Sequence, residues 1–211
     1  MANINAPSGL SPIQYGRSQS WNSAMRLYYI PSTDTNAYAI GDPVATLTNA
    51  ASANGTPAVT LATAGASSLV RGVIMTAGGA LGGNAAVNVA GSGYFDPNAL
   101  GSVIIPAQKT QSYFVGVLDD PDAVYEIQSA STSGTPYTAA DIGKGCNLKA
   151  GTNNGYVSGW TLDDTAASST SNTRQLRIMG LAQRKDNVFG SYARYLVMFN
   201  QHELNFPSSG V

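Results

Sequence analysis

Hardly anywhere along these 211 residues do apolar positions recur at i, i+3, i+4 and i+7 for three turns, and that absence excludes most helical architectures. Short β-branched and aromatic runs divided by turn residues take its place. Eleven of them read as strands, at 25–30, 43–47, 58–61, 70–76, 102–105, 112–118, 124–128, 146–149, 156–162, 174–182 and 194–200. So many short strands predict an all-β fold, an antiparallel barrel or sandwich of jelly-roll-like or β-tulip-like form with long loops.

The patterning inside the runs says which faces are covered. Leu176 and Ile178 point one way and Arg177 the other, as a half-buried antiparallel strand requires. In 194–200, by contrast, Tyr195, Val197 and Phe199 share one face while Leu196 and Met198 occupy the other; 112–118 sets Tyr113, Val115 and Val117 against Phe114 and Leu118. Strands apolar on both faces are buried twice or meet an interface. Turn chemistry supports the layout. Asn54-Gly55 and Asn154-Gly155 supply left-handed residues, and the second pair predicts a hairpin between Lys149 and Tyr156. Thr138 to Asp141 is the one plausible helical turn, with Thr138 as N-cap and Asp141 three residues on. The biased stretches 49–55, 77–93 and 163–173 read as loops.

Residues 1–22 have neither a 3.6 nor a 2 period, and Pro7 and Pro12 interrupt them. They predict an extended N-terminal arm, followed by a single β-rich domain at 23–205 and a tail at 206–211. The arm is either a loose end or a strand in waiting for a sheet edge on another subunit. Its apolar residues Ile4, Leu10, Ile13, Tyr15 and Trp21 are the candidate interface residues.

Charge narrows the function. Only 11% of residues are charged, 11 basic and 12 acidic, where an ordinary soluble chain carries about 25%. The net charge of −1 and the lack of a basic cluster argue against a nucleic-acid partner. No apolar run of bilayer-spanning length occurs, and Met1 to Leu10 has no signal-peptide pattern, so a membrane partner is not expected and folding in a reducing cytoplasm is.

Chemistry-bearing residues are sparse. The single cysteine, Cys146, excludes an internal disulfide and any multi-cysteine zinc site. The single histidine, His202, stands beside Glu203 without a recognisable nucleophile, and no G-x-S-x-G pattern occurs. Asp119, Asp120 and Asp122, with Glu126 behind them, could be a calcium site or a carboxylate pair; Pro121 makes ordinary turn chemistry the simpler account. The glycine-rich stretches fit no phosphate-binding spacing. No catalytic residue, cofactor or metal is expected.

Several segments taken together resemble the head decoration, or capsid cement, proteins of tailed bacteriophages. They are Ile30-Pro31-Ser32-Thr33-Asp34-Thr35-Asn36-Ala37-Tyr38 running into Gly41-Asp42-Pro43-Val44, then Arg71-Gly72-Val73-Ile74, then Val117-Leu118-Asp119-Asp120-Pro121-Asp122 with Tyr125-Glu126-Ile127-Gln128. Asn153-Asn154-Gly155-Tyr156-Val157-Ser158-Gly159 follows. The most distinctive piece runs from Ile178-Met179-Gly180-Leu181-Ala182-Gln183-Arg184 through Asp186-Asn187 and Gly190 to Tyr195-Leu196-Val197 and Asn200-Gln201-His202-Glu203. The resemblance implies a β-rich structural virion protein without cofactor or catalytic residues. Its expected partners are the major capsid protein and other copies of itself, with a homotrimer ahead of a dimer. Its expected place is the capsid surface, after synthesis in the cytoplasm of the host bacterium. A carbohydrate- or receptor-binding module of a phage fibre or tail is the alternative, since Trp21, Trp160 and the 11 tyrosines could stack on sugars.

Overall fold

The computed structural model describes residues 3–16, 19–53, 55–77, 104–110, 112–130, 136–165 and 168–205. The expected all-β class is what the chain adopts. In order, the strands are β1 (Ser11–Tyr15), β2 (Arg26–Ile30), β3 (Tyr38–Ala39), β4 (Pro43–Ala51), β5 (Pro57–Leu61), β6 (Gly72–Ala77) and β7 (Ile104–Ile105). Then come β8 (Tyr113–Leu118), β9 (Ala123–Gln128), β10 (Gly145–Lys149), β11 (Thr161–Asp163), β12 (Leu176–Leu181) and β13 (Arg194–Phe199). Two of these, β1 and β3, lie outside the eleven expected runs.

Strands β2-β5-β4-β6-β8 close into a barrel. Five strands cannot all run antiparallel to both neighbours, because directions alternating around a ring need an even number. The mismatch falls between β2 and β5, which are parallel at Tyr29 and Ala58; every other pair in the ring is antiparallel. An entirely antiparallel barrel, as the sequence suggests, is therefore corrected at this one seam. The short β3–β7 pair contributes Tyr38 and Ile105 to the barrel core, alongside Tyr28, Ile30, Val44, Val59, Ile74, Val115 and Val117.

The second sheet runs β1-β9-β13-β12-β10-β11. It too curls toward closure. The Ala130 N–H donates to the Leu162 carbonyl at 2.8 Å, and Ser129 bridges Leu162 in parallel sense, which brings β11 back to the end of β9. The ring β9-β13-β12-β10-β11 again holds five strands and again joins through a parallel contact. Its core centres on Tyr125, Ile127, Leu148, Trp160, Leu162, Ile178, Tyr195 and Val197, and continues through Val70, Val73 and Leu118 into the first barrel.

Local expectations meet the structure unevenly. The helical turn is a 3-10 helix at Ala139–Asp141, and the Asp141 carboxylate accepts from the Thr138 N–H at 2.8 Å. The 49–55 loop is half strand, because Asn49 takes a left-handed φ of 58° and lets β4 continue to Ala51 before the turn at Gly55. Asn154-Gly155 lies at the tip of a long loop rather than in a tight hairpin. That loop is pinched where Gly151 and Gly159 meet so closely that a Cβ on either would overlap the other's strand. Only Thr161–Asp163 then pairs with β10. Of the 77–93 stretch, Ala77 ends β6 and the rest lies outside the described residues, as do 102–103 and the tail 206–211.

The arm at 1–22 needs the largest correction. Residues 11–15 are β1, an antiparallel edge strand on β9 of the same chain. All six residues of β9 are buried because its inner face meets the core and its outer face lies under the arm.

Candidate functional site

The arm is held at three places along its length. At its start, Asn3 Nδ2 donates to the Val188 and Ser191 carbonyls at 2.9 and 2.8 Å, and Oδ1 accepts the Val188 N–H at 3.0 Å. In the middle, Gln128 Oε1 accepts the Ala6 N–H at 2.9 Å and Arg194 donates to the Ala6 carbonyl at 2.6 Å. Both groups read backbone. Glu126 fixes Arg194 from below, 3.3 Å away, and Arg184 at 2.9 Å completes a buried carboxylate shared by two guanidiniums. Last, Gly9 crosses Gly41 at a spacing only glycines allow, since a Cβ on Gly9 would come within 2.5 Å of the Gly41 carbonyl and both take positive φ.

The candidate interface residues separate on this framework. Leu10, next to the crossing, is fully buried in the second core, and its N–H donates to the Gly41 carbonyl at 3.0 Å. It serves the chain's own core and is withdrawn as a surface contact. Tyr15 and Trp21 pack against the same core half-buried. Ile13, the bulged residue between Pro12 and Gln14, and Ile4 face solvent at 42% and 74% exposure. Val188 and Phe189 extend the apolar patch that Ile4 begins through the Asn3 contacts.

Between the end of β1 and the start of β2 lies a cleft of about 430 Å³, whose walls include Tyr15, Met25, Arg26, Asp119, Pro121 and Leu204. Behind it, the two barrels are joined by a cluster of charges. Asp119 accepts the Tyr28 hydroxyl at 2.7 Å and sits 3.5 Å from Arg26 and 3.7 Å from Arg71. Arg71 reaches on to Glu203 at 3.8 Å, and Glu203 accepts the N–H of Thr46 at 2.8 Å together with its hydroxyl. Burial and the Asp119 carboxylate push the Tyr28 phenol up to about 12. Nothing in the spacing of residues 26, 71, 119 and 203 signals this cluster, because it exists only where separate strand ends meet.

Other residues singled out by sequence find structural partners. Asp120 Oδ1 accepts the Asp122 N–H at 2.8 Å, the turn chemistry that Pro121 suggests. His202 is 1% exposed; its Nδ1 accepts the Leu204 N–H at 3.1 Å, and burial followed by the Arg71 charge pushes it down to about 4. Cys146 lies in the second core, where burial pushes its thiol far up. Trp160 is 2% exposed, so its indole is closed to a sugar ring, and Tyr28, Tyr38, Tyr125 and Tyr195 are equally enclosed. Among the described residues no three of His, Cys, Asp and Glu group as metal ligands would.

The buried charges change the surface. Asp42, Asp119, Glu126, Asp164 and Glu203 are all inside, five of the chain's 12 acidic residues. Lys109 is fully buried as well, with its Nζ donating to the Asp34 and Asn36 carbonyls at 2.7 and 2.5 Å and facing the Tyr38 ring. A chain already poor in charge therefore shows solvent even less of it. No protein-family model matches the chain, and no curated protein or solved structure matches it either.

Proposed function

We propose that this chain is a structural virion protein that binds the outside of a tailed-phage capsid as a homo-oligomer and stabilises contacts between capsomers. The observation that carries this reading is the distribution of charge. Ion pairs are spent inside the two barrels, and the outside presents neutral polar groups with separate apolar patches at Ile4, Val188 and Phe189 and at Met25, Leu27 and Leu204. Such a surface stays soluble through its amides and hydroxyls and docks without stripping water from many ions. The segments that resemble capsid cement proteins support the same reading.

A subunit that binds assembled shell and not free capsid protein stabilises the shell by mass action, and joining copies into an oligomer multiplies the effect through effective concentration. The test is co-sedimentation with emptied shells built from the major capsid protein encoded in the same genome. Saturable pelleting at a fixed copy number per capsomer, with added resistance of the shells to heat, is the expected result. Shells that pellet bare at micromolar protein would end the proposal. The sugar-binding alternative keeps only Trp21 as a stacking indole, since Trp160 is enclosed.

A further inference from the structure

The second barrel has a seam that its own ring of strands leaves open. β11 returns to the far end of β9 at Ser129 and Ala130, while residues 123–126 of β9 are paired by β1 instead. The arm is thus the closing piece of the barrel. It is attached through the link 16–25, and that link is the least packed part of the fold. Gly16 turns against the Asp122 carbonyl, Gln19 and Ser20 fold back onto β1, and Ser23 is held at a left-handed φ of 65°. The link then passes over the 430 Å³ cleft instead of filling it. Around that cleft Met25, Leu27 and Leu204 are exposed at 40%, 40% and 45%.

From this juxtaposition we infer that the arm is exchanged between copies of the chain, each β1 closing the seam of a neighbour, with the cleft and its apolar rim forming the new contact where the straightened links pass. A second copy is the occupant the seam selects. The Glu126–Arg194–Gln128 groups, the Leu10 site and the Gly9–Gly41 crossing already fit this arm, and every one of those contacts is remade unchanged in an exchanged pair. A link of ten residues straightens to about 33 Å, enough to reach an adjoining molecule. Strain at Ser23 is released in the straightened form, and short strained links favour exchange. The inference stands on the chain alone and does not depend on a capsid.

Gln14 and Val124 are direct partners across β1 and β9, within disulfide reach. Gln14→Cys and Val124→Cys are therefore placed on two separately tagged full-length chains, co-expressed and oxidised; Cys146, buried in the core, does not compete. The expected product is a disulfide-linked species carrying both tags, absent when either variant is expressed alone. Thr48→Cys, exposed on β4, is the control and should give none with Val124→Cys. The inference is overturned if the mixed species fails to form while Gln14→Cys/Val124→Cys on one chain closes within that chain. It is equally overturned if the Thr48→Cys control links as well as Gln14→Cys does, or if the doubly substituted chain forms no disulfide at all.

Discussion

Asp42 and His202 are both buried, and acid moves their contributions to stability in opposite directions. His202 takes up its proton only near pH 4 in the folded chain against an ordinary value of 6.5. As pH falls through that window the unfolded chain gains a proton that the folded chain does not, and about 3 kcal/mol of stability is lost. Asp42, packed beside the Gly9–Gly41 crossing, is pushed up to about 6 from 3.8 by burial, which the Ser158 hydroxyl and the Ala39 amide only partly offset. Its favourable contribution is complete below 3.8 and disappears as pH rises through 6, again by about 3 kcal/mol. Between pH 4 and 6 the two changes nearly cancel. Asp42→Asn is expected to stabilise the chain by about 1–3 kcal/mol at pH 8 and to expose the acid sensitivity of His202. His202→Gln should do the reverse, with a denaturation midpoint that rises toward acid. Urea midpoints measured from pH 4 to 8 check both; profiles parallel to that of the unsubstituted protein would show that neither group titrates as placed.

Among the elements, those with regular alternation are legible in the sequence and those with a broken pattern are not. β12 and β13 announce themselves because Leu176, Ile178, Tyr195 and Val197 must enter a core at every second position. β1 does not, because Pro12 and the bulge at Ile13 erase the alternation; both are tolerated on an edge strand, where one side of the backbone owes no hydrogen bonds to a sheet. β3 is only two residues long and owes its place to β7. The Asn154-Gly155 turn shows the opposite limit: Gly155 is left-handed as expected, yet the Gly151–Gly159 approach makes a wide loop of what the turn alone would make a tight hairpin. Leu10 fixes β1 to the core. Leu10→Ala is expected to cost about 2–4 kcal/mol and, through the lost anchor, to loosen the strand beyond it. Hydrogen exchange should show the β1 amides, Tyr15 among them, opening far sooner than those of β13. Unchanged β1 protection would mean that the polar contacts from Asn3 to Arg194 hold the arm by themselves.

For the molecule as a whole, the scarcity of surface charge makes a measurable claim about docking. Binding to a shell through neutral polar and apolar contacts should change little between low and high salt, since few exposed ions remain for salt to screen. A steep loss of co-sedimentation on raising salt would place the contact on Arg26, Arg177 or Arg184 instead. The sequence by itself determined that the chain is all-β, that its strands are short, and that charge is scarce, because strand periodicity and composition are local properties that any window of residues displays. Only the tertiary structure decided that the strands form two five-stranded rings, that the arm belongs to the second, and that Arg71 draws Asp119 and Glu203 together at their junction. Those outcomes depend on which strand ends meet across long stretches of chain, and on the low dielectric that forces a buried charge to find its partner wherever the fold has brought one.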